Sequence, residues 1–559
     1  MENRKYVVGV DFGSDSVRSI IVDTKNGNVE GSATVEYPRW KDGLYCDKTI
    51  SQFRQHPQDY LDAFKKCMKI ATTEAGKEIC NAIVGIGFDT TGSTPCPVNK
   101  AGVPLALLPE FKDNPNAMFY LWKDHTAQKE AEKINLVLSD FEGKDYTRFQ
   151  GIYSSEWYWS KVLHGIHTDE KIREHAYTWI EHADWMPAIM TGKCKPEEMY
   201  HNSCSAGHKM LWNSEFGGLP DLNALEKIDP YLKEVGKRFG KAPELSVTAV
   251  GKILPVWAEW LGISKNTIVA GSSLDAHAGA VGAGIQKNVL VKVIGTSSVD
   301  MLVQDSIHMK GKNLKNICGQ AENSILPGYI GIEASQAAFG DIYAWFKNFL
   351  VQPLRDFFKE SNDAAKVEED FVKKYQNSLL HQLNEKIKKR KPNENLVILD
   401  WFNGRRYPDI NENIKGTIYG LTLGTDVYDL YQALVLSTIF GTKKIFDSFI
   451  NNGLVIDDVI ATGGIPHKSE YIMQTMADVL KHKISVVEEK QTCALGAAMY
   501  AAVAVGEYDN LQDAQAHMIN QKPTVYTPQE KNICLYDKLY SQYLLLGEKT
   551  EAYQHLTDR

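Results

Sequence analysis

Apolar residues fall in three short runs at the start of the chain, YVVGVDF, VRSIIVD and Val29–Tyr37, separated by the turn signals Gly13-Ser14-Asp15 and Lys25-Asn26-Gly27. A meander of three strands is predicted. A helical stretch from Pro57 to Ala75 follows, then an apolar strand Ala82–Phe88 and a polar turn Asp89–Thr94. This β-β-β-α-β order mixes antiparallel with parallel pairing.

The same signals restart near Val289 with the strand VLVKVIG, the turn Thr296-Ser297-Ser298, the strand VDMLV and helical stretches around 333–349, 365–388 and 427–450. The strand Val459-Ile460-Ala461, the turn Thr462-Gly463-Gly464, a helix over Ser469–Leu480, the strand KISVV and an Ala-rich helix from Ala494 complete a second α/β unit ending near Gly506. Gly13-Ser14-Asp15-Ser16-Val17 and Gly295-Thr296-Ser297-Ser298-Val299 open the two halves in equivalent places. So short a match can arise by chance, but its placement favours a duplicated α/β domain over two unrelated hairpins. The predicted division is residues 1–286, residues 287–508 and a helical tail over 509–559, with a hinge near Gly284–Asn288.

A length of 559 residues exceeds what a single core supports. Hydrophobic residues at 43% and charged residues at 24% are ordinary globular proportions. The net charge of -8 is mild, and the run KIKKRK at Lys386–Lys391 reads as a solvated helix end, so no nucleic-acid partner is expected. Nine scattered cysteines without a C-x-x-C pair read as reduced thiols. The first strand begins too early to leave room for a secretion signal, and no apolar run approaches the ~20 residues that span a bilayer. A cytoplasmic location without membrane contact is expected.

Gly, Ser and Thr at tight turns can surround phosphate oxygens with amides and hydroxyls, and two such turns facing one cleft would clamp one nucleotide. Both join strand to strand, and no G-x-x-x-x-G-K-[ST] occurs. A dinucleotide fold is disfavoured because Gly85-Ile86-Gly87, followed by Thr90, lacks the third glycine. His182, His201 and His208 have no helix-spaced partner in this reading, so they are taken as core or solvated histidines and a zinc site is rejected.

The segments VGVDFGSDSVRSIIVD, GFDTTGSTPCPV, LWKDHT, SLDAHAGAVGAG, VKVIGTSSVD, ATGGIPHKSEYIMQTMADVL and CALGAAMYAAVA resemble, in this order, the FGGY carbohydrate kinases. SSEWYWSKVLH, CSAGHKMLW, GIEASQAAFGDIYAWF and LDWFNGRRYPD are similar to the members that phosphorylate ribulose, and the resemblance covers residues 5–508. It implies two actin-like (ribonuclease H-like) α/β domains with mixed sheets flanked by helices and the active site in the cleft between them. It also implies ATP and Mg²⁺ as cofactors, and phosphorylation of ribulose, in its L form, at the 5-hydroxyl in L-arabinose catabolism. A homodimer is compatible with it. The alternatives are a related kinase acting on xylulose or another polyol, an actin-like ATPase without a sugar, and an inactive sugar-binding regulator.

Phosphoryl transfer needs a base, a divalent ion and donors around the migrating group. The resemblance implies Asp275 as the base, in the first turn of a serine-capped helix; a plain capping carboxylate is the alternative. It implies that Asp11 holds Mg²⁺ through water, against a structural Asx-turn. Thr94, Pro95, Cys96, Trp122, Asp124, Lys209, Glu333 and Asp275 are implied on the sugar side, with His125 replacing the family's arginine. Gly13, Ser14, Ser16, Arg18, Gly295, Thr296, Gly340, Gly464 and Lys468 are implied around the nucleotide; Arg18 also reads as a solvated strand residue and Lys468 as a surface lysine.

Overall fold

The computed structural model describes residues 4–557 except 310, 311, 316, 318, 361–364, 409 and 412, so Cys318 lies outside the described residues. Strands β1 (Tyr6–Phe12), β2 (Ser16–Asp23) and β3 (Val29–Glu36) pair antiparallel as the predicted meander. Helix α1 (Pro57–Ala75) covers one face, and β4 (Ile83–Thr90) returns parallel to β1. Strand β5 (Ile268–Leu274) adds parallel to β4 and runs directly into α2 (Asp275–Gly282). An edge strand at Ala249–Lys252 completes a six-stranded sheet.

Strands β6 (Val289–Ile294), β7 (Ser298–Asp305) and β8 (Tyr329–Gln336) repeat the antiparallel meander. Helices α3 (Gly340–Glu360) and α4 (Val427–Asn451) follow, and β9 (Asp458–Thr462) and β10 (Ile484–Val486) repeat the parallel pair. The strand order β3-β2-β1-β4-β5 of the first sheet thus reappears as β8-β7-β6-β9-β10 in the second. The duplicated architecture read from the two opening turns is present in the strand order.

Three expectations need correction. The helix expected around 333–349 begins only at Gly340; the residues before it form β8, where Ile330 and Ile332 favour a pleated strand. The tail is not purely helical, because β11 (Thr524–Tyr526) pairs antiparallel with β10 before the long helix α6 (Glu530–Thr557). The Ala-rich helix α5 (Thr492–Ala504), assigned by sequence order to the second unit, packs on β1, β4 and β5 of the first sheet and along α2.

That packing is backbone on backbone. A methyl built on Gly9 would lie 1.8 Å from the Ala494 carbonyl oxygen, and one on Gly87 would lie 2.1 Å from that of Ala497. Between the helices, a methyl on Gly496 would meet the Ala278 carbonyl at 2.0 Å and one on Gly282 would meet that of Thr492 at 2.0 Å. Only glycine allows this approach. Val7 and Val22 of the first sheet, Val291, Met301 and Val303 of the second, and Ala494–Ala502 share one apolar cluster.

The chain between β4 and β5 contributes a mainly helical layer with its own core, which includes Tyr120, Trp159, Trp179 and Leu225. Among the described residues no helix is long and apolar enough to cross a membrane.

Because the Gly496 contact is to main chain that cannot rotate aside, Gly496→Ala should cost about 1–3 kcal/mol in denaturant unfolding. Gly424→Ala, whose methyl would meet only the Thr422 hydroxyl at 3.8 Å, is the control and should be near neutral. Equal stability of the two variants would contradict the close-packed interface.

Candidate active site

The parallel pairing of β1 with β4 sets Asp11 opposite Asp89, and that of β4 with β5 sets Asp89 opposite Ser273, two residues before Asp275. Asp11 is buried and accepts a hydrogen bond at 2.7 Å from Arg18, its cross-strand neighbour on β2. The second Asp11 oxygen and both oxygens of Asp89 are buried without a hydrogen-bond partner. The Cys493 thiol, at the start of α5, lies within 4.8 Å of both carboxylates. Buried carboxylate oxygens without a partner suit a divalent cation, which favours acidic oxygen donors.

Asp275 is the first residue of α2, and its carboxylate accepts from the Ala276 amide at 2.7 Å. It occupies the first helical turn as expected, but no serine caps this helix: Leu274 holds the cap position, while Ser272 and Ser273 belong to β5. Burial, then the charge of Asp11, pushes the Asp275 carboxyl up to about 7. Burial, then Asp11 and Asp275, pushes Asp89 well above the usual carboxylate range.

Two residues further along α2, His277 faces a second cluster. Its Nε2 lies 3.4 Å from Glu333 on β8, and Lys209 Nζ lies 3.8 Å from the same carboxylate oxygen. Burial opposes the Glu333 charge, yet Lys209 and then the two nearby histidines hold it well below the usual range. Lys209 and Glu333 line a cavity of about 400 Å³ with Glu156 and Trp157 from the first half and Arg406 from the second. Arg406 donates to Glu156 at 2.7 Å, and His125 lies 3.2 Å from Glu156, so this cavity wall joins the two halves through charge.

Trp122 donates to the Ser14 hydroxyl at 2.9 Å, which ties the first turn to the wall of the helical layer. The first amide of each turn is used internally, from Gly13 to Ser16 at 3.0 Å and from Gly295 to Ser297 at 2.9 Å. In the second turn the Thr296 carbonyl accepts from Phe339 at 2.7 Å and the Gly295 carbonyl accepts from Gly340 at 3.1 Å, so the start of α3 is seated on the turn. Gly464 follows β9 on the exposed surface, while Lys468 lines a separate groove with His381, Lys388 and Tyr526. Ser16 is the first, buried residue of β2.

Thr94, Pro95 and Cys96 are buried rather than open to a cleft. The Thr94 amide donates to Glu181 at 2.7 Å, and the Cys96 thiol contacts the Pro97 and Ala117 carbonyls. Glu181 forms a buried system with Lys161, whose ammonium reaches the Ser93 carbonyl at 2.7 Å and the Leu121 carbonyl at 2.9 Å. Burial pushes Glu181 up to about 7 and Lys161 down to about 7. Asp124 does not reach the cavity either: fully buried, it pairs with Arg54 and accepts from the Phe53 amide at 2.7 Å. Its carboxylate neutralises an internal cation.

Two family models match the chain, the FGGY family of carbohydrate kinases N-terminal domain over residues 6–282 and the C-terminal domain over residues 290–505. The chain belongs to the FGGY family of carbohydrate kinases. Similar relatives include the ribulokinases of Vibrio parahaemolyticus, 42% identical over 98% of this chain and 96% of the relative, and of Halalkalibacterium halodurans, 34% identical over 97% and 94%. Among solved structures, a Rhodospirillum rubrum xylulose kinase superposes with a TM-score of 0.77 at 16% identity, covering 99% of this chain and 100% of that one. A Plasmodium falciparum glycerol kinase with ADP gives 0.75 at 15% identity, covering 98% of each chain. These structures support the two-domain actin-like fold of this FGGY kinase.

Sequence reasoning missed Asp89, Cys493, His277, and the Glu156–Arg406 pair. For Asp89 a signal existed: Gly87-Phe88-Asp89 repeats Gly9-Val10-Asp11 on the adjacent strand. The zinc argument over His208 also overlooked Cys204, one helical turn earlier on Ser203–Lys209. His182 instead stacks on Tyr60 at 3.9 Å, and His201 bonds Asp184 at 2.8 Å.

Removing one partner of a buried ion pair leaves the other charge uncompensated, so Asp124→Ala in this FGGY kinase should lower folding stability by about 3–5 kcal/mol. A stable, folded Asp124→Ala enzyme with only a raised sugar KM would return Asp124 to the sugar site.

Proposed function

We propose that this FGGY kinase transfers the terminal phosphoryl group of Mg-ATP to the 5-hydroxyl of ribulose, in its L form, in the cytoplasm of a cell that degrades L-arabinose. The observation that carries this reading is the pairing of Lys209 with Glu333 beside α2, in a chain 42% identical over 98% of its length to a ribulokinase. An ammonium offers three donors and a carboxylate accepts from hydroxyls, so together they select a polyol by the positions of its hydroxyl groups.

In this mechanism Asp275 accepts the proton of the 5-hydroxyl as its oxygen attacks the terminal phosphorus, and ADP leaves. Asp275 can do so near neutrality because burial and Asp11 place its pKa at about 7. Asp11 and Asp89 would hold Mg²⁺, which when bound spreads the charge of the transferring phosphoryl group. Arg18 keeps one Asp11 oxygen fixed and leaves the other available. Gly13, Ser14 and Ser16 in the first turn and Gly295 and Thr296 in the second would receive the nucleotide phosphates, with Gly340 and Gly464 beside the adenosine. The glycine at 340 has a steric reason, since a methyl there would lie 2.5 Å from the Gly295 carbonyl oxygen. Lys468, on its separate groove, and the buried Thr94-Pro95-Cys96 segment are left out of this mechanism.

Loss of a general base lowers rate by about 10²–10⁴-fold, so Asp275→Asn should reduce kcat by that factor with little change in ribulose affinity. The same substitution should not weaken the fold. A carboxyl whose folded-state pKa is raised stabilises the protein below the ordinary carboxylate range and loses that contribution as pH rises through about 7. Above that pH, thermal unfolding of Asp275→Asn should occur no lower than for wild type, and wild-type kcat/KM should decline as pH falls below about 7. An Asp275→Asn enzyme keeping more than about a tenth of wild-type kcat would remove Asp275 from the base role. Lys209→Ala should raise KM for ribulose more than KM for ATP; the reverse pattern would move Lys209 to the nucleotide.

A further inference from the structure

Cys204, His208 and His277 meet in the interior, with one ligand atom from each lying within 4.8 Å of the others. Cys204 and His208 lie four residues apart on the helix Ser203–Lys209, and His277 projects from α2. All three are at most 2% exposed; neither ring nitrogen of His208 has a hydrogen-bond partner, and the His277 ring has the Cys204 thiol and Glu333 beside it. A desolvated imidazole with both nitrogens unsatisfied, as at His208, is costly, and such a group is expected to hold an ion or water. The rings cannot simply turn away: their centroids are 4.7 Å apart, and a methyl on Gly319 would already lie 2.8 Å from His208 Nδ1. A Glu333 oxygen lies 3.4 Å from His277 Nε2 and 3.9 Å from His208 Nδ1, completing a donor set of one thiolate, two imidazoles and one carboxylate.

We propose that Cys204, His208 and His277, with Glu333 as the fourth donor, bind a zinc-type divalent cation that braces the wall between the two halves. The donor types are those of tetrahedral zinc sites, in which ligand atoms sit roughly 3.3–3.7 Å apart, so small side-chain rotations bring these atoms into range. Helix Ser203–Lys209 and α2 belong to the first half and β8 to the second, so the cation would fix Glu333 and the neighbouring Lys209 relative to α2. A soft-ligand site here is chemically separate from the all-oxygen carboxylate site at Asp11 and Asp89.

The test loads metal-stripped full-length protein with Co²⁺ in the presence of excess Mg²⁺, which occupies the oxygen-donor site. It is carried out in a Cys493→Ser background, so that any thiolate-to-cobalt charge-transfer band comes from elsewhere. One cobalt per chain is expected, with a charge-transfer band and tetrahedral visible absorption, and Zn²⁺ should displace both. Cys204→Ser should lose the charge-transfer band, and His208→Gln and His277→Gln should lose the bound equivalent, each checked for folding by circular dichroism. His201→Gln, outside the cluster, should keep both. Failure of the Cys493→Ser protein to bind cobalt, or a charge-transfer band that survives Cys204→Ser, would overturn the proposal. Neither readout depends on phosphoryl transfer, so the outcome is independent of the ribulose reading.

Discussion

The architecture rests on how closely α5 can approach the first sheet. Gly9 and Gly87 let the helix backbone settle on β1 and β4, and Gly282 and Gly496 let α2 and α5 touch main chain to main chain. With side chains at these positions the helices could not approach so closely, and Cys493 would move away from Asp11 and Asp89. The carboxylate cluster, the start of α2 and the shared apolar layer of both halves therefore depend on four missing β-carbons. Dispersion across such an interface is strong because there is no void to lose contacts to.

The second organising constraint is charge in a dry interior. Asp11, Asp89 and Asp275 are close enough that burial and mutual repulsion raise the pKa of the last two, and Arg18, bonded to Asp11, offsets that rise only in part. Such an arrangement is unfavourable for folding alone and is what a site needs if it is to receive a cation and keep a base near neutrality. Inside the second sheet a buried charge is paired directly: Lys292 binds Asp300 at 2.8 Å, Ser298 at 2.9 Å and Gln336 at 3.1 Å. The contrast lies in the counter-charge: Lys292 sits directly on Asp300, whereas Asp89 has neither oxygen bonded and no cation in hydrogen-bond contact.

Much of this was legible in the chain. Alternating apolar runs and paired Gly-Ser turns gave the two meanders and their duplication, because strand period and turn chemistry are local properties. The Asp275 position was legible for the same reason, since a strand running into a small-residue helix places an acid at a helix start. What was not legible depends on distance in space. Nothing in the sequence near Asp124 shows that Arg54 comes to meet it, or that Thr94 is held from behind by Glu181. The overlap of the helix expected around 333–349 with the end of the strand Tyr329–Gln336 arises because Glu333, Ala334 and Gln336 are helix formers, and only pairing with β7 decides for the strand. His277 escaped notice because its partners come from two distant segments, 203–209 and 329–336.

The late position of α5 in the chain has a consequence for how the protein is made. The first sheet is complete once β5 and α2 have been synthesised, yet the face that α5 will cover stays open until Ala504 has left the ribosome. At about 5–20 residues per second this interval lasts roughly 10–45 s. Throughout it, the apolar side chains of Val7, Ile20 and Val22 have no native cover from α5. The nascent first half thus keeps an apolar face uncovered by its native partner, and the last α/β unit is the piece that closes it.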